Sequence, residues 1–286
     1  MVPICKKKIS LLSFDLDGTL LNDAGEISEL SLEQIHAAMG KGVKVTISSG
    51  RIPSMQRLYV SQLDFDGPYI ASNGALILNS IDDSVIYRKP IEEDILEELC
   101  VFCRTERMHL CLQTMKNMYY TQNNPRVSLL HQYDSVAEKH GFSKVPMQIL
   151  DRDHSNFDNS PTYKALVYAP DKQKYSRLVN YLDNEPSLIY TFSDQNLFEI
   201  SVRGVDKGQG IQIVANHYGI PLNEVCAFGD FDNDIPLFEQ VGLSIAMNNG
   251  SNKLKNKAMY ITDSNVNEGV AKAIANMASC FVSSWG

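Results

Sequence analysis

Apolar residues fall along this chain in short runs that polar residues stop abruptly. Ile9 to Phe14 is short, apolar and ended by an aspartate, which predicts a buried strand. Ser28 can cap a helix on which Leu32, Ile35 and Met39 recur at helical spacing, and Gly40 and Gly42 end it. Val43 to Ile47 reads as a second strand, followed by the loop Ser48-Ser49-Gly50-Arg51. A helix through Met55 to Leu63 then leads to a third strand at Tyr69 to Ala71. Strands and helices alternating in this way predict a parallel sheet with right-handed crossovers.

The rhythm changes after about Ser84. Strand-like pieces at Leu110 to Gln113, Lys164 to Tyr168 and Leu188 to Phe192 are interspersed with helical ones, including one from Glu93 to about Thr105. Leu150 to Pro161 is rich in Asp, Asn and Ser and reads as an exposed loop. The first rhythm resumes late, with a helix after Lys207 and strands at Val225 to Phe228 and Leu243 to Met247. Helices are expected at Ile235 to Val241 and from Gly269 to about Ala278. The expected fold class is α/β, a doubly wound parallel-sheet core of residues 1–83 and 197–286 interrupted by an α+β insertion at 84–196.

Composition narrows the function classes. The 286 residues carry a formal net charge of -8, and Lys6, Lys7 and Lys8 form the only basic cluster, so neither nucleic acid nor a membrane surface is an expected partner. The apolar stretch after those lysines is too short for a signal-peptide core, and a cytoplasmic location is expected. Cys100 and Cys103 form a C-x-x-C pair inside a helical pattern with no second pair nearby, which favours buried thiols over a zinc or redox site. The six histidines show no metal-binding spacing. Oligomeric state leaves no mark in the sequence.

The chemistry concentrates at strand ends. Phe14-Asp15-Leu16-Asp17-Gly18-Thr19-Leu20 sets two carboxylates one residue apart just past a buried strand, where open α/β sheets place their ligands. Gly18 permits the tight turn that lets them converge. Carboxylates that close repel each other unless a cation or a shared proton intervenes, and acidic oxygen donors suit magnesium. Ser49-Gly50 after the second strand, Lys207 and the stretch Gly229 to Asp234 can meet them at one sheet edge. Together they supply a hydroxyl, a backbone N–H, an ammonium and further carboxylates, which is a phosphate site. A helix-capping acidic turn is the bland alternative for the first motif taken alone.

Four motifs in this order resemble the haloacid dehalogenase superfamily of phosphotransferases. The placement of the insertion is similar to its Cof-type branch of sugar-phosphate and metabolite phosphatases. The matching stretches are Asp15 to Leu20, Ser49 to Arg51, Gly204 to Gly208 and Gly229 to Asp234, with Ser72 to Ala75 and Leu243 to Met247 in support. The resemblance implies a Rossmann-like core and a cap that selects the substrate, a small phosphorylated metabolite. It implies Asp15 as the nucleophile that becomes an aspartyl phosphate and Asp17 as the acid and base. Mg2+ would sit among the Asp15 carboxylate, the Asp17 backbone carbonyl and Asp230. Ser49, Lys207, Asn233 and the N–H groups of Leu16 and Gly50 would hold phosphate oxygens.

Other assignments stay open at this level. Ser49 stands where the family usually has threonine, and Ser48 is its neighbour. Asp234 either orients the metal or Lys207, or caps the helix near Ile235. Thr19 braces the first loop, and Asp232 reads as a solvated turn residue. Arg51 meets substrate or a cap carboxylate, or lies exposed at a helix start. In the insertion, His109, Gln113, Tyr119 and Lys164 are polar enough to touch substrate, with surface exposure the alternative for Lys164. A phosphomutase or phosphotransferase would use the same intermediate. A non-catalytic phosphometabolite-binding protein is disfavoured, because every catalytic position holds a competent residue.

Overall fold

A computed structural model describes residues 8–124, 127–151, 153–194 and 196–281. The chain opens with β1 (Leu11–Phe14), α1 (Glu29–Met39), β2 (Lys44–Ile47), α2 (Arg57–Leu63), β3 (Pro68–Ala71), β4 (Leu76–Asn79) and β5 (Val85–Arg88). The middle holds α3 (Glu93–Thr105), β6 (His109–Thr114), β7 (Met118–Thr121), α4 (Val127–Lys139), β8 (Met147–Leu150), β9 (Thr162–Tyr168), α5 (Lys172–Asp183), β10 (Leu188–Asp194) and β11 (Leu197–Val202). The last stretch is α6 (Lys207–Tyr218), β12 (Val225–Gly229), α7 (Ile235–Phe238), β13 (Leu243–Ala246), α8 (Asn252–Lys255), β14 (Tyr260–Ile261) and α9 (Gly269–Asn276).

Two compact units result. One comprises residues 1–51, 56–86 and 206–286, and the other 52–55 and 87–205. The first is built on a five-stranded parallel sheet in the order β14-β13-β12-β1-β2. β1 lies inside the sheet, between β12 and β2, with every residue buried, as a strand covered on both faces requires. Leu11, Leu12 and Phe14 are fully buried, and Phe14 stacks on Phe228 of β12 at 5.1 Å. Burying side chains of this size contributes roughly 1.5–3 kcal/mol each. The chain leaves β1 towards β2 and later fills the opposite side with β12, β13 and β14, so strand order reverses beside β1. That reversal is where such sheets open a crevice at their carboxyl ends.

The expected third parallel strand is different in detail. β3 meets the β2 line through the parallel bridge Ser48–Ile70 and pairs along its length antiparallel to β4. Its first residue, Pro68, has no N–H to give a ladder, and its carbonyl instead accepts from Thr46 Oγ1 at 2.8 Å.

The second unit holds a six-stranded sheet in the order β10-β11-β9-β6-β7-β8, antiparallel except at β7–β8. One face packs Leu112, Ala165, Val167, Phe198 and Ile200 against Leu99 and Cys103 of α3 and Leu178 and Leu182 of α5. β11 pairs with β10 and β9, so it belongs to this unit and not, as the sequence suggested, to the core after residue 197. Lys164 is no surface residue: it lies inside β9, 4% exposed, with its ammonium 3.2 Å from Glu199 Oε2 on β11. Cys100 and Cys103 are thiols on α3. Cys280 is disulfide-bonded, a departure from the reduced state expected of a cytoplasmic chain. Among the described residues, no helix is long and apolar enough to cross a membrane.

Candidate active site

The register of the parallel sheet assembles the acidic cluster. Phe14 pairs with Phe228, and the Asp15 N–H donates to the Phe228 carbonyl at 3.1 Å, so Asp15 and the Gly229-Asp230 step leave adjacent strands side by side. After Asp15 the chain makes a wide turn, with the N–H of Leu20 donating to Asp15 O and that of Leu21 to Leu16 O. Gly18 carries a φ of +74°, and a Cβ there would stand 2.2 Å from Asp230 Oδ2. Gly18→Ala should therefore cost about 1–2 kcal/mol of backbone strain and displace the Asp230 carboxylate. Unfolding in denaturant measures the first effect. Weaker binding of a divalent metal ion, followed by calorimetry, measures the second.

Asp15, Asp230 and Asp234 each place a carboxylate oxygen within 4.8 Å of the others. Lys207 binds two of the three: its fully buried ammonium lies 2.7 Å from Asp15 Oδ1 and 2.7 Å from Asp234 Oδ1. This lysine is the first residue of α6, whose cap is Asp206 accepting from the Gln209 N–H at 2.8 Å. A cation is disfavoured at a helix amino terminus, so the two carboxylates must hold it there. They raise its pKa despite burial, which acts the other way.

Asp234 answers the alternatives left open for it. Its Oδ2 accepts the N–H groups of Asp230 at 3.0 Å and Phe231 at 3.2 Å, while Oδ1 takes Lys207, and it makes no side-chain cap on α7. With both oxygens engaged, it fixes Lys207 and the Asp230 loop. Burial pushes Asp15 up to about 7, with Lys207 opposing and Asp234 adding to the rise. Burial, followed by Asp15 and Asp234, pushes Asp230 up to about 8. Two hard, desolvated carboxylates held together short of positive charge fit a small divalent cation such as magnesium.

Thr19 Oγ1 donates to Asp230 Oδ1 at 3.3 Å, so it braces the acidic cluster by its side chain. Ser49 is buried, and its Oγ accepts the Arg51 N–H at 3.2 Å; the Ser48 Oγ is buried with no hydrogen-bond partner among the described residues. Leu16 is buried within the first turn, and Gly50 lies half-buried in the second loop. Asp232 is not merely solvated, since it accepts from Ser251 Oγ at 2.7 Å and Lys253 Nζ at 3.1 Å.

The Asp17 side chain is not one of the three clustered carboxylates found among the described residues. It is 63% exposed and lies against Arg51, which donates from Nη2 at 2.6 Å and Nε at 2.8 Å. Arg51 is thus not an exposed helix-start residue.

Two further residues lie here: Asn73, in the supporting stretch Ser72 to Ala75 but given no role there, and Asn249, which the sequence did not mark. Asn73 Oδ1 accepts from Asn233 Nδ2 at 3.2 Å and sits in a turn where Ser72, Asn73 and Gly74 have φ of 49°, 55° and 101°. A Cβ at Gly74 would meet the Asp206 carbonyl at 2.2 Å, so this turn lies directly against the start of α6. Asn249 Nδ2 donates to the Gly18 carbonyl at 2.8 Å. The Ser-Asn-Gly triplet was a visible turn signal for the first; nothing in the sequence marked the second.

Residues 12–274 match the family model of haloacid dehalogenase-like hydrolases. The chain belongs to that family. Among curated relatives, it is 27% identical over 269 residues to the 5-amino-6-(5-phospho-D-ribitylamino)uracil phosphatase YitU of Bacillus subtilis (strain 168), covering 92% of this chain and 95% of that one. It is 26% identical over 287 residues to the chloroplastic endoribonuclease YBEY of Arabidopsis thaliana, covering 96% of this chain but 47% of that protein, so it spans about half the length of that relative. A haloacid dehalogenase-like hydrolase from Bacteroides thetaiotaomicron superposes with a TM-score of 0.82 at 23% identity, covering 94% of this chain and 100% of that one. A sugar phosphatase of subclass IIB in this superfamily superposes at 0.76 with 23% identity, covering 94% and 99%. Both share the α/β fold with its central parallel sheet.

Proposed function

We propose that this hydrolase is a phosphatase that releases phosphate from a small phosphorylated metabolite through an aspartyl phosphate on Asp15, with Mg2+ as cofactor. The observation that carries the reading is the 2.7 Å contact of a fully buried Lys207 with Asp15, inside a cluster of three carboxylates. A lysine held there gives an anionic substrate a positive charge beside an anionic nucleophile. An Asp15 oxygen attacks phosphorus while the leaving oxygen takes a proton from Asp17. Water then attacks the acyl phosphate, giving its proton to Asp17 and regenerating Asp15. Ser49 accepts from Arg51, which leaves its hydroxyl proton for a phosphate oxygen, and Asn233 and the Leu16 and Gly50 N–H groups complete the cradle. A magnesium ion held by the Asp15 and Asp230 carboxylates and the Asp17 carbonyl would neutralise charge where nucleophile and phosphate meet.

Sugar phosphates and phosphorylated cofactor precursors head the substrate classes, in keeping with the ribitylamino-uracil phosphatase and sugar phosphatase among its relatives. The test is phosphate release from a panel of phosphorylated metabolites. Chelator should abolish it and magnesium restore it. Calcium should support it poorly, because the larger ion can draw both Asp15 oxygens into coordination. Full activity in excess chelator would overturn the metal assignment, and no release from any phosphomonoester would overturn the activity.

A further inference from the structure

The clamp on Asp17 is a built device. Arg51 grips that carboxylate through two parallel hydrogen bonds, at 2.6 Å to Oδ1 and 2.8 Å to Oδ2, the planar fork that lysine cannot reproduce. The guanidinium is itself fixed. Its Nη1 donates to the Tyr59 hydroxyl at 3.2 Å, its plane lies 5.3 Å from the Tyr59 ring centroid, and its side chain is 13% exposed. Tyr59 in turn is 1% exposed and donates its hydroxyl proton to the Gly25 carbonyl at 2.9 Å. Hydrogen bonds thus run both ways from Arg51, outward to a carboxylate that is 63% exposed and inward through Tyr59 to the Gly25 carbonyl.

An exposed aspartate would explore several rotamers; this one is tied to a single direction. We propose that Arg51, backed by Tyr59, is a positioning residue that sets the direction in which Asp17 presents its carboxylate to the leaving group and to the attacking water. The proposal rests on the phosphatase reading for its kinetic consequences, but the positioning itself does not. Arg51 grips the Asp17 carboxylate, and its effect on the reaction passes through that group.

The kinetic test compares a sugar phosphate, whose alkoxide needs a proton to leave, with 4-nitrophenyl phosphate, whose phenolate does not. In Arg51→Gln, kcat/KM for the sugar phosphate should fall about 10- to 100-fold, within the range of general acid–base contributions. For the aryl phosphate kcat/KM should change by less than about threefold, while its kcat falls, because hydrolysis of the acyl enzyme also needs Asp17. A burst of nitrophenol should accompany that split. Arg51→Lys should not rescue it, and Tyr59→Phe should show the same pattern more weakly. Equal losses in kcat/KM for both substrates would reduce Arg51 to a structural role and overturn the proposal.

A second readout is independent of turnover. With the Asp17 carboxyl carbon labelled, NMR relaxation should report one ordered side chain in the wild-type protein and a mobile one in Arg51→Gln. Unchanged order would overturn the proposal even if the protein proved to be no phosphatase. Absent phosphate release with the expected gain in mobility would overturn the activity alone.

Discussion

Asp15→Asn is expected to abolish phosphate release, by on the order of 10^4-fold or more, the scale on which deleting a covalent nucleophile acts. The amide has no anionic oxygen to attack phosphorus and is a weaker metal ligand. The fold should survive. Lys207 keeps its second partner, Asp234 Oδ1 at 2.7 Å, and the substitution removes one of three carboxylates whose crowding raises the pKa of Asp230. β1 itself is untouched, because Leu11, Leu12 and Phe14 hold it in the sheet. Thermal unfolding of the chelator-treated variant at pH 8 should thus lie close to that of the wild type. Turnover by the magnesium-loaded variant near the wild-type rate would sink the covalent mechanism.

What the sequence disclosed and what it hid have separate physical causes. The parallel sheet was legible because β1, β2, β12 and β13 are buried almost throughout and so read as short, mainly apolar runs stopped by polar loops. The same regularity placed Asp15, Ser49 and Asp230 at strand ends. β8 was hidden because Met147, Gln148 and Ile149 are partly or fully exposed and give no apolar pattern; no element was expected there, and its last residue, Leu150, fell at the start of the expected loop. Strand β11 was assigned to the core because its apolar residues match either unit, and only its pairing with β9 and β10 decides. Lys164 looked like a surface cation, since burying a lysine needs a partner, and Glu199 lies 35 positions away. For Arg51 the partner was nearby in the motif list, yet nothing in the spacing says that a residue 34 positions on will fork onto Asp17. Pairings between loops come from register, which a single sequence carries only implicitly.

Lys207→Met tests the electrostatic centre of the site, and its effect should depend on pH in a direction that can be worked out beforehand. In the chelator-treated wild type, Asp15 is raised to about 7 and Asp230 to about 8 from 3.8, chiefly by burial. Between the unfolded and folded values, the folded state binds more protons than the unfolded one, so stability falls as pH rises. This contribution is fully present below about pH 4 and is lost as pH passes through 7 and 8. Methionine keeps much of the lysine stem's volume but removes the cation that opposes the rise at Asp15. The folded carboxylates then hold their protons to still higher pH, and the variant's deficit against wild type should widen from pH 5.5 to pH 8. Stranding a buried charge by deleting its partner costs about 3–5 kcal/mol when the charge must persist, which sets the scale at the alkaline end. Protonation should spare much of that at pH 5.5. Magnesium should restore part of the stability at pH 8, because it supplies positive charge to Asp15 and Asp230. Turnover should stay low even then, since the ammonium beside Asp15 is still missing. The expected loss of transition-state stabilisation is about 2–4 kcal/mol, read as a fall in kcat as well as in kcat/KM. Urea unfolding at the two pH values, with and without magnesium, measures the first effect, and steady-state kinetics on the preferred phosphate measures the second. An unchanged kcat with only a raised KM would mean that Lys207 merely binds substrate, and a pH-independent deficit would mean that the three carboxylates do not share its charge.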